Sequence, residues 1–177
     1  MTTARPEPTS SQLLSSMMAL VATEFEGKLD KGDNPYFMHC YHVMYEVRAY
    51  GPEVMMIALG HDLIEDRGKT VTYTRLATEG YPSRVIEGIR ALTKVPGESY
   101  EEYKAKVKLN PDAVIVKMAD IRHNSDIRRL KGVTSKDIER TVDYLKFYEE
   151  LKRFKELQDQ EQGFKASTSA YANKPIP

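Results

Sequence analysis

The segment Gly60-His61-Asp62-Leu63-Ile64-Glu65-Asp66 constrains this chain more than any other. It follows an apolar run through Val54, Met55, Ile57, Ala58 and Leu59, and that run opens with Pro52 after Gly51. The pattern predicts a helix from residue 52 to about Asp66, with proline in its first turn. On such a helix Asp62 and Asp66 lie four apart and Glu65 lies four from His61, which gathers the polar groups into a patch on an otherwise apolar rod. Burying imidazoles and carboxylates without partners costs on the order of several kcal/mol, and a divalent cation removes much of that cost. A bound metal is the simplest explanation of the patch. A lone His-Asp pair says little, however, and Glu65 with Asp66 also fits a solvated helix end, so the case depends on donors elsewhere.

Two other segments offer them. An apolar and aromatic stretch from Phe37 to Tyr50 contains His39 and His42, three residues apart, and spacing alone allows either to be a ligand. Further on, Lys117-Met118-Ala119-Asp120-Ile121-Arg122-His123-Asn124 puts Asp120 and Asn124 on one helical face with His123 beside them. Two imidazoles with Asp62 and Asp120 make a mixed nitrogen and oxygen set that suits Mn²⁺ or Fe²⁺ with open water positions, and disfavours thiolate-loving ions. Such an ion acidifies water and polarises a phosphoryl oxygen. Glu65 and Asp66, just beyond it, could orient the water, take its proton and return one to a leaving group, while Asn124 could hydrogen-bond substrate. A histidine such as His42 or His123 is more often a hydrogen-bonded structural residue than a ligand. The runs KAKVK and RRLK read mainly as exposed faces.

The surrounding pattern is helical. Leu13, Leu14, Met17, Met18, Leu20, Val21 and Phe25 form a stripe behind a cap at Ser10 or Ser11. Turn-forming residues fill 27–36, and further helices are expected at 82–94, 99–109, 111–130 and 135–158. Val114, Ile115 and Val116 are β-branched, yet Pro111 ahead of them favours one long buried helix over a strand. The stretch 144–157 is amphipathic, as a final core helix should be. The fold class is therefore all-α, a helical bundle. A chain of 177 residues suits one domain, over 11–158, with loose tails at 1–10 and 159–177.

Composition narrows the function classes. Lys plus Arg number 26 and Asp plus Glu number 26, so no global field favours nucleic acid or an anionic membrane, and phosphate binding must come from a local cluster. The single cysteine, Cys40, permits no intrachain disulfide, argues against a thiolate zinc site and suits the reducing cytoplasm. Leu13 to Ala22 is interrupted by Ser15 and Ser16 and preceded by Glu7, unlike a signal peptide, and no apolar run reaches the roughly 20 residues that span a bilayer. Met55 and Met56 fit either the core or a subunit contact, and periodicity leaves the oligomeric state open.

From about Ala22 to Tyr148 the chain resembles the hydrolase domain of RelA/SpoT homologues and the stand-alone small alarmone hydrolases of the HD superfamily. The resemblance rests on DKGDNPYFMH, GHDLIEDRGKT, ALTKVPGESYEEY and NPDAVIVKMADIRHN, in that order. It implies an HD-domain helical bundle that binds one Mn²⁺ through His39, His61, Asp62 and Asp120 and removes the 3′-pyrophosphate of (p)ppGpp. It also implies Glu65 and Asp66 as the catalytic acidic pair, Asn124 and Tyr144 as nucleotide-holding residues, and Lys94 and Lys117 as phosphate-binding candidates. The loop before the first ligand commonly reads like AHxGQxDK in that family. Here Phe25 and Lys28 replace its histidine and glutamine, which puts Lys28 at a substrate-binding position and leaves base recognition open. The proline usual after the first metal histidine is Cys40. With no synthetase or sensing segment in view, the resemblance implies a hydrolase acting alone on a small nucleotide. Adenosine alarmones, the 2′-phosphate of NADPH and nucleoside monophosphates are the competing substrates, and a non-catalytic nucleotide-binding module is the competing class.

Overall fold

The helices of this protein start where side chains can satisfy their free N–H groups. In the computed structural model, which describes residues 7–172, Thr9 and Gln12 form a capping box ahead of α1 (Ser10–Glu24). The cap is thus one residue earlier than Ser10, because Thr9 keeps the extended backbone that lets its hydroxyl reach Gln12 N. Then come α2 (Tyr36–Glu46), a 3₁₀ turn (Arg48–Tyr50), α3 (Pro52–Gly60), α4 (Leu63–Arg67) and α5 (Tyr73–Thr78). They are followed by α6 (Ser83–Leu92), α7 (Tyr100–Lys108), α8 (Pro111–Ser125), a second 3₁₀ turn (Ile127–Arg129) and α9 (Ser135–Ala172). Ser99 and Glu102 build a second capping box before α7, and Asn110 caps α8 through Ala113 N at 2.9 Å. No strand is present among the described residues, where Leu29 and Pro35 form an isolated bridge.

The layout explains itself from α3 outward. Its residues Val54, Met56, Ile57, Ala58, Leu59 and Gly60 are buried on every side, which requires neighbours all round, and α1, α2, α6 and α8 supply them. Met56 is wholly buried and Met55 packs against the core, so this pair serves the interior. The contact with α6 is unusually close because glycines face isoleucines in both directions. A Cβ on Gly88 would lie 2.4 Å from Ile57 Cδ1, and one on Gly60 would lie 2.7 Å from Ile89 Cδ1. α1 adds Leu13, Met17 and Val21 at helical spacing, while α9 lays Phe147 and Leu151 against α7 and α8.

Two expectations need correction. The helix expected through residue 66 is broken at His61 and Asp62, giving α3 and α4. The helix expected over 111–130 ends at Ser125, where the extended Asp126 turns the chain and its side chain accepts from Arg128 N. α9 runs on through residues 159–172, while 1–6 and 173–177 lie outside the described residues. The short helix α5 went unanticipated; Thr72 caps it through Arg75 N at 3.1 Å, and its buried Leu76 anchors it. No helix among the described residues is long and apolar enough to cross a membrane.

The loop between α1 and α2 is organised by one carboxylate. Asp30 Oδ1 accepts from Gly32 N at 2.8 Å and Asn34 N at 2.9 Å, and its Oδ2 accepts from Arg129 Nη2 at 2.7 Å. Arg129 Nη1 also donates to the His123 carbonyl at 2.8 Å. The loop lies so tightly on the turn after α8 that a Cβ on Gly32 would meet Arg129 O at 2.2 Å. One wall of a cleft is thereby fixed to the end of α8.

Candidate active site

His39 projects from the middle of α2, Asp120 from α8, and His61 and Asp62 from the break between α3 and α4. His61 and Asp62 both keep right-handed helical backbone angles at this junction. Here both converge, with His61 Nε2 3.0 Å from Asp62 Oδ2. His39 Nε2 lies 3.2 Å from His61 Nε2 and 3.2 Å from Asp120 Oδ1, and His61 Nε2 lies 3.5 Å from that same oxygen. His39, His61 and Asp120 are buried, and one donor atom from each falls within 4.8 Å of the others. Asp62 stands at the margin, 25% exposed, its Oδ2 3.7 Å from His39 Nε2.

Each of these groups is held from behind. His61 Nδ1 donates to the Ala58 carbonyl at 2.7 Å, which leaves Nε2 facing the centre. Tyr36 donates its hydroxyl hydrogen to Asp62 Oδ2. Asp120 accepts from Lys117 Nζ at 2.7 Å on Oδ2 and from Asn124 Nδ2 at 2.6 Å on Oδ1, so one face of α8 carries acid, cation and amide three and four residues apart. His39 Nδ1 sits 2.7 Å from His123 Nδ1.

The electrostatics call for positive charge. Burial alone would raise the Asp120 pKa, yet Lys117, His39 and His61 hold it well below the ordinary carboxylate range. Burial likewise works against Asp62, and His61 overrides it to keep that carboxyl low. Burial would lower the His61 pKa, but the Asp62 and Asp120 carboxylates carry it well above its ordinary value. His123, desolvated and facing His39 and Arg129, is pushed down to about 3 and is neutral. Two imidazole nitrogens and two carboxylates around one point fit a divalent cation. The buried His39, His61 and Asp120 group can hold such an ion.

Above this centre opens a cavity of about 330 Å³, lined by Glu65, Lys94, Lys117, Asn124 and Tyr144 of the expected site residues together with the four metal-side groups. Glu65 Oε2 accepts from Lys94 N at 3.1 Å. Lys117 reaches the cavity with its ammonium already committed to Asp120. Lys28 and Asp66 are not brought to the lining: they pair with each other, and Lys28 Nζ stands 3.6 Å from the centre of the Tyr36 ring. Tyr36, Tyr100, Tyr103, Lys31, Arg129 and Arg140 also line the cavity and were not singled out from the sequence. Arg140 could have been, since it lies one turn before Tyr144 on the same face of α9.

No family model matches the chain. Among solved structures it is similar to one described as a metazoan ortholog of SpoT that hydrolyzes ppGpp and plays a role in starvation responses, with a TM-score of 0.64 and 19% sequence identity over 83% of this chain and 88% of that one. The chain shares the all-helical fold of that structure. In this fold the histidine of α2, the His-Asp break after α3 and the aspartate of α8 meet at the foot of the cavity.

Proposed function

We propose that this protein is a metal-dependent hydrolase that removes the 3′-pyrophosphate of (p)ppGpp and yields GDP or GTP with pyrophosphate. The observation that carries the reading is the convergence of His39, His61 and Asp120, with Asp62 beside them, under a cavity walled by Glu65, Lys94 and four tyrosines. The likeness of fold to a ppGpp hydrolase supports it.

In this reading His39, His61, Asp62 and Asp120 would hold one Mn²⁺, which when bound would supply Lewis-acid chemistry by acidifying water and polarising a phosphoryl oxygen. The residues do the rest. Glu65, the acidic side chain of the pair that lines the cavity, takes the proton of the attacking water and returns it to ribose O3′ as the bond from that oxygen to phosphorus breaks. Asp66 stands behind it, its charge balanced by Lys28, so that two adjacent carboxylates do not both repel the polyphosphate. Lys94 offers an ammonium to the phosphates, while Lys117 acts on them through Asp120, whose charge it offsets. Tyr144 and Asn124 hold the nucleoside, and the exposed Tyr100 adds a flat surface on which a base can stack. A free cytoplasmic nucleotide is the partner, and the buried, reduced Cys40 suits that compartment.

The test is to incubate the protein with ppGpp and Mn²⁺, with and without EDTA, and to resolve the products for the wild type, Asp62→Ala and Glu65→Ala. Metal-dependent release of pyrophosphate that both substitutions abolish is expected. Faster turnover of an adenosine alarmone, NADPH or a nucleoside monophosphate under the same conditions would reassign the substrate.

A further inference from the structure

The two histidines of the centre are anchored in different ways, and only one anchor is a fixed acceptor. His61 Nδ1 faces the carbonyl of Ala58, which can only accept, so its hydrogen is on Nδ1 and its Nε2 is available as a ligand. His39 Nδ1 instead faces a second ring nitrogen, Nδ1 of His123, at 2.7 Å. A single hydrogen fits between two ring nitrogens. If His123 supplies it, the hydrogen of a neutral His39 is on Nε2 and points into the centre. If His39 supplies it, His39 Nε2 is left with its lone pair facing His61 and Asp120.

His123 is itself held in place. Its ring stacks on His42 with centroids 4.2 Å apart and on His39 at 4.9 Å. His42 Nε2 is 3.0 Å from Glu46 Oε1, Glu46 accepts from Arg122 at 2.6 Å, and the His123 carbonyl accepts from Arg129 at 2.8 Å. These contacts leave the ring little freedom except in which nitrogen carries its hydrogen.

We propose that His123 is a positioning residue for the metal ligand His39. It carries its own hydrogen on Nε2, accepts the His39 Nδ1 hydrogen on Nδ1, and thereby aims the His39 Nε2 lone pair at the ion. The proposal rests on the metal reading above. It gives a role to a histidine that spacing alone leaves as a structural residue.

Two measurements test it. In the Zn²⁺-loaded wild type, long-range ¹H–¹⁵N spectra of the imidazoles should show the hydrogen of His39 on Nδ1 and that of His123 on Nε2; a His123 hydrogen on Nδ1 overturns the assignment. Separately, the metal-free protein is titrated with Mn²⁺ and binding is read by calorimetry. His123→Phe keeps a flat ring but removes the acceptor, and should weaken binding by about 10- to 100-fold. His123→Asn, whose Oδ1 falls near the lost Nδ1, should recover most of the affinity. A folded His123→Phe protein with wild-type affinity overturns the proposal, and if that variant does not fold the tautomer spectrum decides alone. A wild type that takes up neither ion overturns the metal reading, and this assignment with it.

Discussion

The floor of the cleft and its rim are held together by different forces. On the floor, His39, His61 and Asp120 are 3 to 4% exposed and stand on helices whose opposite faces are closed by α1, α6 and α9. Their positions follow from apolar packing and from hydrogen bonds shielded from water. On the rim, the loop between α1 and α2 meets the turn after α8 and the start of α9 through ion pairs: Asp30 with Arg129 at 2.7 Å, Lys31 and Arg140 both on Asp137 at 3.2 and 3.0 Å, and Lys131 with Asp33. The exposed pair of Lys131 with Asp33 contributes about 0–1 kcal/mol and weakens with salt, while Asp30 and Asp137 are largely shielded from water. On the proposed reading, the division puts the reacting centre on the rigid floor and the surface that meets the substrate on the rim.

The comparison is broken most forcefully at the floor. Asp120→Ala should abolish turnover and cost about 3–5 kcal/mol, because it leaves the Lys117 ammonium buried without its counter-charge. Urea unfolding of the metal-free variant reads that cost, and a loss below about 1 kcal/mol would place Asp120 with the rim. Next in size is the packing beneath the floor. Gly88→Val should lower stability by about 1–3 kcal/mol, since all three nearest atoms to an added Cβ belong to Ile57, at 2.4 to 3.0 Å. Gly60→Ala should cost less, because only the flexible tip of Ile89 stands within 3 Å. Thermal melting of the pair gives the order, and the reverse order would mean that α3 yields at its centre more readily than at its end.

The smallest effect is expected at the rim and depends on pH. Burial raises the Asp30 pKa, but the donors from Asn34, Arg129 and Gly32 outweigh it and hold the carboxyl below its ordinary value. A folded pKa below the unfolded one gives a contribution that is complete above the unfolded value, about 3.9, and is lost as pH falls through the folded value. The protection of the Gly32 and Asn34 amides against hydrogen exchange, taken relative to their intrinsic rates, should therefore fall on acidification below about pH 4, and Asp30→Asn should remove that dependence. Metal affinity at neutral pH should be the same in Asp30→Asn as in the wild type. A parallel loss of metal binding would show that rim and floor are one unit.

Much of this was legible in the sequence because it depends on local periodicity. The helical class and the sharing of one face by Asp120 and Asn124 follow from backbone geometry that neighbouring residues define. The choice between His39 and His42 did not. Both are on α2, and burial separates them: His39 is 3% exposed, whereas the His42 side chain is 51% exposed and pairs with Glu46. The break at His61 and Asp62 was hidden as well, since residues 52–66 read as one helix. Partners far apart in the chain were equally out of reach, as in the pairing of Lys28 with Asp66 and the meeting of His39 with His123. Spacing along a chain fixes which residues share a face of one helix. Which faces then meet depends on how the helices pack, and here that is set by the mutual approach of Gly60 and Gly88 to Ile89 and Ile57 and by the burial of α3 among α1, α2, α6 and α8.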